Sequence, residues 1–469
     1  MGKPFIKLLH TINAGYFYDV NRNQIVDVSE ESYQYLQDLL ADKQVGEEPE
    51  EITYLRESGY LKPSQVMQIR HPMTSYTQDL LDQNIDLITL QVTQDCNFRC
   101  EYCIYSDTDS NIGQRQHSKK MMSLETAKQA IRFLRDHSAK SKTLNIGFYG
   151  GEPLLQFSLI KKIVEYAEEE LFGKEITYAI TTNGSLLKGE ILDFLQKYQV
   201  AVNLSFDGPK EIQDNNRRFA HSNASTYELV YDNLKEAFKK YPDYAKRFSI
   251  HSVLIPSYDF DQMDAFFKMP LIKDLLCNNS MVDDHYSSKK HTKSAQFHEK
   301  SQYHNFLAYL YSLDRLERNG ISRVVREPVL HSIHKAEDVL KGSNIPIIGS
   351  PSGQCVPGLH RLFCDVDGNL YPCERVSETA ECMRIGTLDD GFDLSKVNCL
   401  LNVSGITAEQ CKQCEAFLFC GICISSCEKN GKLSANQRLS HCDIIRAETE
   451  SCLQYAVLKQ EYKQCYKEL

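Results

Sequence analysis

Three cysteines, Cys96, Cys100 and Cys103, stand with three and then two residues between them in the stretch VTQDCNFRCEYCIYSD (Val92–Asp107). Three thiolates can hold three irons of a [4Fe–4S] cluster and leave the fourth iron open to another ligand. The spacing lets one short loop wrap such a cluster, with Asn97, Phe98 and Tyr102 shaping the turn. A zinc knuckle is the competing use of the same residues, and it ordinarily wants a fourth Cys or His close by.

The other cysteines repeat the theme at the far end of the chain. Of 17 cysteines, three lie at 96–103, thirteen at 355–469, and only Cys277 falls between. In a reducing compartment such usage points to metal or redox chemistry rather than disulfides, and core filler would not cluster so. Cys355, Cys364 and Cys373 occur in CVPGLHRLFCDVDGNLYPC. Cys411, Cys414, Cys420, Cys423 and Cys427 occur in CKQCEAFLFCGICISSC, and Cys442 follows in SHCD. Paired cysteines two apart also suit a zinc ribbon. Cys277, Cys382, Cys399, Cys452 and Cys465 belong to no motif and read as free buried thiols.

Between the two groups, short polar motifs follow apolar runs. In YGGEP (Tyr149–Pro153), Gly150 and Gly151 allow close backbone approach to a ligand, and Glu152 is an acceptor for an ammonium group. TTNG (Thr181–Gly184) carries Thr182 and Asn183, and LSFDGP carries Ser205 and Asp207. QDNNRR then offers Arg217 or Arg218 to a carboxylate. Asn-Gly and Asp-Gly-Pro are also ordinary turn formers.

These motifs need a scaffold that brings strand ends together. Apolar strand-like runs at 85–92, 144–149, 176–181, 200–206 and 248–255 alternate with amphipathic helices near 124–137, 156–171, 186–198 and 226–240. Such alternation means parallel strands with crossover helices, in a barrel or a doubly wound sheet. Residues 1–65 form a separate small module: strands at 6–17 and 24–28 around a turn at 19–23, a helix capped by Ser29, and a second helix ending at Gly59. The polar stretch 66–84 reads as a linker. Residues 281–300 read as a loop near the substrate channel, since His285, His291 and His298 have no ligand-like spacing; helices follow near 299–318 and 327–341.

Bulk properties narrow the field. With 53 Lys plus Arg against 63 Asp plus Glu, the formal charge of −10 argues against broad nucleic-acid binding and gives no sign of an anionic membrane target. No run is long enough to span a bilayer, and Met1–Val20 lacks the apolar core of a signal peptide, so a cytoplasmic protein is expected.

The cysteine loop, followed one strand later by Gly-Gly-Glu, resembles the signature of the radical S-adenosylmethionine (SAM) enzymes over residues 85–270. Residues 350–445 resemble the SPASM extension of peptide-modifying members, named for subtilosin, pyrroloquinoline quinone, anaerobic sulfatase and mycofactocin maturation. The resemblance implies an α/β fold, a partial (β/α)6 TIM-type barrel with its chemistry at the strand C-terminal ends. It places that barrel over 85–345, a Fe–S-binding SPASM domain over 346–445 and a C-terminal helix over 446–469. The module at 1–65 is similar to winged-helix leader-recognition domains, which add a peptide as an extra strand on a sheet edge.

The same resemblance implies site roles. Cys96, Cys100 and Cys103 would hold the SAM-ligating cluster; Tyr149, Gly150, Gly151 and Glu152 would meet the SAM amino group; Thr182, Asn183, Ser205 and Asp207 would contact SAM, and Arg217 or Arg218 its carboxylate. Reduced SAM would yield methionine and a 5′-deoxyadenosyl radical that abstracts hydrogen from a bound peptide. Two auxiliary [4Fe–4S] clusters are implied, one on Cys355, Cys364, Cys373 and Cys427, the other on Cys411, Cys414, Cys420 and Cys442. The family's cysteine four positions after Cys420 is Ile424 here, so Cys423 and Cys427 both stand as candidates. Glu374 occupies the place of a catalytic acid in sulfatase-maturing relatives. The implied partners are a ribosomally made, Cys-containing precursor peptide and an external flavodoxin- or ferredoxin-type electron donor. Thioether formation is the expected reaction. Formylglycine formation, carbon–carbon crosslinking and a zinc-stabilised peptide-binding protein are the alternatives.

Overall fold

A computed structural model describes residues 2–103, 105, 117–282, 291–351 and 354–465. Ile104, Ser106 and Asp107 of the first cysteine stretch, and residues 283–290 with His285, lie outside the described residues, as does the Cys465 side chain.

The chain begins with an antiparallel meander of three strands, β1 (Ile6–His10), β2 (Gly15–Asp19) and β3 (Gln24–Val28). The run at 6–17, expected as one strand, is split by a turn. Thr11 closes that turn: its N–H donates to the Ala14 carbonyl at 3.0 Å, and its hydroxyl accepts the N–H groups of Asn13 and Ala14 at 3.2 Å each. Helices Glu30–Leu40 and Glu50–Glu57 follow as expected. Ser29 caps the first by accepting the Ser32 N–H, and Gly59, at φ +92°, releases the chain from the second.

The expected linker is structured. β4 (Gln68–Ile69) pairs with a later strand, and helix Thr77–Gln83 buries Thr77 and Leu81. Side-chain bonds tie this strap to the C-terminal region: the His71 N–H donates to Asn402 Oδ1 at 2.8 Å, and Thr77 Oγ1 donates to Asn398 Oδ1 at 3.1 Å. Short, polar and held by distant partners, it has no period that a local pattern could show.

The centre is a sheet of β5 (Leu87–Thr93), β7 (Thr143–Gly150), β8 (Glu175–Thr182), β9 (Ala201–Ser205), β11 (Ser249–Leu254) and β12 (Leu276–Met281). All are parallel and neighbour one another in chain order, with helices in the crossovers. An order that never reverses has no switch point, so the sheet is singly wound, as in a partial (β/α)6 barrel, and not doubly wound. The sixth strand, β12, lies where the pattern loosens after Leu271. An antiparallel pair, β6 (Phe98–Cys100) with β10 (Arg217–Phe219), crosses the C-terminal end of this sheet.

The C-terminal region continues the barrel sheet. After β13 (Ile348–Gly349), the partner of β4, strand β14 (Leu362–Cys364) pairs in parallel with β5. β15 (Asn369–Tyr371), β16 (Gly386–Thr387) and β17 (Gly391–Phe392) extend it antiparallel. One apolar core accordingly runs from Ile88, Leu90 and Phe148 through Leu362, Phe363 and Leu370. The apolar core shows no break in packing across the boundary placed at 345/346. Among the described residues, no helix is long and apolar enough to cross a membrane.

Candidate active site

Cys96, Cys100 and Cys103 line a cavity of about 270 Å³ at the C-terminal ends of β5, β7, β8 and β9. Tyr149, Gly150, Gly151, Thr182, Asn183, Ser205 and Arg217 line it with them, so ten of the anticipated residues share one wall. Tyr105 and His117 also face the cavity and were not among the anticipated residues; Tyr105 lies in the cysteine stretch, two residues past Cys103.

Backbone contact explains the two glycines. A Cβ on Gly150 would stand 2.1 Å from the Thr93 carbonyl oxygen, and one on Gly151 2.2 Å from that of Asp95. The N–H groups of Gly151 and Glu152 donate to those same two carbonyls at 2.9 Å each. The close approach is to the start of the cysteine loop, which the end of β7 thereby clamps.

Glu152 and Asp207 stand behind the wall, both fully buried. The Glu152 carboxylate accepts from Thr182 Oγ1 (2.7 Å), the Leu154 N–H (3.1 Å) and the Asn183 N–H (2.7 Å). Burial outweighs these bonds and pushes its pKa up to about 7. Asn183 in turn donates through Nδ2 to Asn97 Oδ1 at 2.8 Å, and Asn97 donates to Ser185 Oγ at 2.9 Å. A polar chain thus runs from Glu152 to the cysteine loop.

Asp207 organises the opposite side. Its carboxylate accepts from the Tyr102 hydroxyl and from the Val253 N–H at 3.1 Å, and forms an ion pair with Arg217 Nε at 3.0 Å. Pairing of Arg217 with Cys100 across β10 and β6 brings the guanidinium to 4.0 Å from the Cys100 sulfur. Arg218 is exposed and donates to the Asn215 carbonyl, so Arg217 is the arginine at the cavity. Burial pushes the Cys96 thiol up to about 12, with the Glu152 charge adding to it, and raises Cys100 further against the pull of Arg217. Such thiols ionise readily only against a strongly cationic group, which is how an iron–sulfur core acts on its ligands. Donor type and space both fit such a core.

In the C-terminal region, Cys411, Cys414, Cys420 and Cys442 line one small cavity together with Arg438 and Arg446. The free space is about 20 Å³, so admitting a cluster requires the side chains to turn outward. The first auxiliary set is less gathered. Cys355 is exposed, while Cys364 is fully buried on β14 and donates to the Asp365 carbonyl at 3.6 Å. Cys423 lies close enough to Cys373 to help raise its pKa, after burial. Cys427 instead accepts from Arg438 Nη1 at 3.7 Å and donates to the Cys423 carbonyl at 3.4 Å. Glu374, the anticipated acid, is ion-paired with Arg361 and is not part of the cavity wall at Cys96–Cys103.

Residues 90–269 match the radical SAM superfamily. The radical SAM cyclopropyl synthase TigE of Paramaledivibacter caminithermalis is 36% identical over 27% of this chain and 28% of its own length. An uncharacterized protein of Methanocaldococcus jannaschii is 37% identical over 30% of this chain and 46% of its own, so the chain spans less than half of either relative. A cysteine-type anaerobic sulfatase-maturating enzyme of Clostridium perfringens is 24% identical over 72% of this chain and 87% of its own length. The solved structure of native anSMEcpe with bound AdoMet and Kp18Cys peptide shares the fold, at a TM-score of 0.57 and 19% identity over 80% of this chain and 99% of that one.

Proposed function

We propose, from a chain whose residues 90–269 form a radical SAM domain, that this enzyme matures a ribosomally made peptide by joining a cysteine sulfur to a carbon. The observation that carries the reading is the second cysteine cavity, at Cys411, Cys414, Cys420 and Cys442, in an extension whose β14 is hydrogen-bonded to β5. A crosslink removes two hydrogens and needs somewhere for the second electron to go. An auxiliary cluster fused to the barrel edge is a suitable acceptor.

In this reading Cys96, Cys100 and Cys103 hold the SAM-binding cluster, and Cys411, Cys414, Cys420 and Cys442 an auxiliary one. Cluster and SAM, when bound, supply the 5′-deoxyadenosyl radical that takes a hydrogen atom from the peptide. The chain's own residues bind and orient. Arg217, held by Asp207, offers its guanidinium to the SAM carboxylate; Asn183, Thr182 and Ser205 offer polar contacts; Glu152 keeps Asn183 aimed. The exposed β3 edge of the N-terminal meander supports capture of a leader peptide as an added strand. Asp207 and Glu152 act as positioning residues.

Formylglycine formation is the second reading, favoured by the extent of the match to the sulfatase-maturating enzyme. The Arg361 pair leaves Glu374 already committed as an acceptor, which weighs toward crosslinking. Anaerobic reconstitution with SAM, dithionite and a Cys-containing precursor separates the readings by mass spectrometry. A thioether product loses two hydrogens and its alkylatable thiol but keeps its sulfur. A product that has exchanged sulfur for an aldehyde oxygen sinks the thioether reading, and a colourless zinc protein sinks both.

A further inference from the structure

Arg438 is among the largest fully buried side chains in the protein, only 1% exposed. It lies on the short helix Ala435–Leu439, whose start is fixed by Ser434 accepting the Gln437 N–H. Arg438 is one of the residues that line the cavity with Cys411, Cys414, Cys420 and Cys442. Nε donates to Thr407 Oγ1 at 3.1 Å, and Nη1 donates to Cys427 Sγ at 3.7 Å. Thr407 Oγ1 is itself 3.3 Å from Cys411 Sγ. Among the described residues no carboxylate pairs with Arg438. Arg446, the other arginine of that wall, is 39% exposed and has Asp443 at 3.2 Å and Glu415 at 3.9 Å.

A cation withdrawn from water without a counter-charge costs several kcal/mol, and proteins keep such groups only against an anion. Among the described residues, the groups that contact the Arg438 guanidinium are a hydroxyl, Thr407 Oγ1, and a cysteine sulfur, Cys427 Sγ. Four thiolates around an iron–sulfur core leave the whole assembly net negative, and reduction makes it more so. We propose that Arg438 is the built-in counter-charge of the Cys411, Cys414, Cys420 and Cys442 set and raises the reduction potential of the cluster they hold. This makes that cluster the easier one to reduce, as an electron acceptor in the peptide reaction must be. The same geometry occupies Cys427 as an Arg438 partner. The proposal rests on the auxiliary-cluster reading given above.

The test uses the full-length, anaerobically reconstituted protein, with iron counting and an EPR-monitored redox titration. A Cys411→Ala/Cys414→Ala double variant first identifies the signal of this set. If that variant keeps all the iron and every signal of the parent, the auxiliary-cluster reading itself fails. With the signal assigned, Arg438→Gln should make its reduction at least tenfold less favourable, about 59 mV for one electron. Arg438→Lys, which keeps the charge, should stay near the parent. Iron uptake by the Lys variant alone would equally show that charge is what the site requires. Matching behaviour of the Lys and Gln variants, whether both like the parent or both impaired, overturns the proposal.

Discussion

Glu152 shows how much a single buried carboxyl can govern. Its pKa is raised by burial from 4.5 to about 7, so the folded chain holds that proton more tightly than the unfolded one. A raised carboxyl contributes stability that is present below about pH 4.5 and lost as pH climbs through about 7. Without SAM, the parent should therefore lose about 3 kcal/mol of unfolding free energy between pH 4.5 and pH 8, and Glu152→Gln should lose none of that share. Urea denaturation at the two pH values measures it; equal pH slopes would remove Glu152 as the titrating group. The same variant puts an amide N–H toward the Asn183 N–H or the Thr182 hydroxyl. Acting only through Asn183 and Thr182, the change should lower SAM affinity by about 0.5–1.5 kcal/mol by calorimetry, the size of one ordinary hydrogen bond. A second residue-scale outcome concerns Cys423 and Cys427, which the motif leaves undecided. With Cys427 held by the Arg438 guanidinium and the Cys423 carbonyl, Cys423→Ala should lose one cluster's iron and the product while still cleaving SAM. Cys427→Ala should keep that iron; the reverse pattern would return Cys427 to the ligand set.

Elements, more than residues, decide where the cysteine loop sits. Gly150 and Gly151 at the end of β7 leave no room for a methyl group against Thr93 and Asp95. Gly151→Ala should push the loop off the strand end at a cost of about 1–3 kcal/mol or more. The expected readout is loss of the SAM-binding cluster's iron, with the C-terminal iron retained. Full iron and normal SAM cleavage would show that the loop gives way cheaply. Much of this level was legible beforehand. Five barrel strands announce themselves as short runs of Val, Ile and Leu between amphipathic helices, because strands covered on both faces must be apolar. Ser29 carries helix-capping chemistry in its side chain and Gly59 helix-ending freedom in having none, and the cysteine spacing carries a candidate ligand set. The pairing of Phe98–Cys100 with Arg217–Phe219 was not legible, since each half is three residues long and is set by a partner over a hundred positions away. His117 escaped for the same reason, being brought to the cavity by tertiary contact, whereas Tyr105 sits two residues past Cys103 and could have been read from that proximity. Glu152 and Asp207 were legible as acids at strand ends, but their place behind the wall depends on who fills their hydrogen bonds.

At the scale of the whole molecule, the N-terminal module is joined to the C-terminus more firmly than a detachable leader clamp would be. Phe5, Leu9, Tyr16 and Tyr18 share an apolar cluster with Phe417, Phe419, Leu453 and Val457. Glu461, buried near the end of helix Cys442–Cys465, accepts from Thr11, Asn13 and Tyr16 of the first hairpin. That helix begins at Cys442, one of the four cysteines of the second cavity. Each of the four apolar side chains contributes about 1.5–3 kcal/mol when fully buried, so their joint loss rivals the 5–15 kcal/mol that holds a typical domain together. Deleting residues 2–65 should therefore do more than remove the sheet edge proposed to capture a leader peptide. The helix should loosen from its C-terminal end back toward Cys442, and the truncated protein should lose auxiliary iron and aggregate on size-exclusion chromatography. Iron on the proposed Cys96, Cys100 and Cys103 set, whose loop the end of β7 clamps, should be lost last. A truncated chain that stays monomeric, with full iron and SAM cleavage, would instead make residues 2–65 an appendage whose apolar contacts add little.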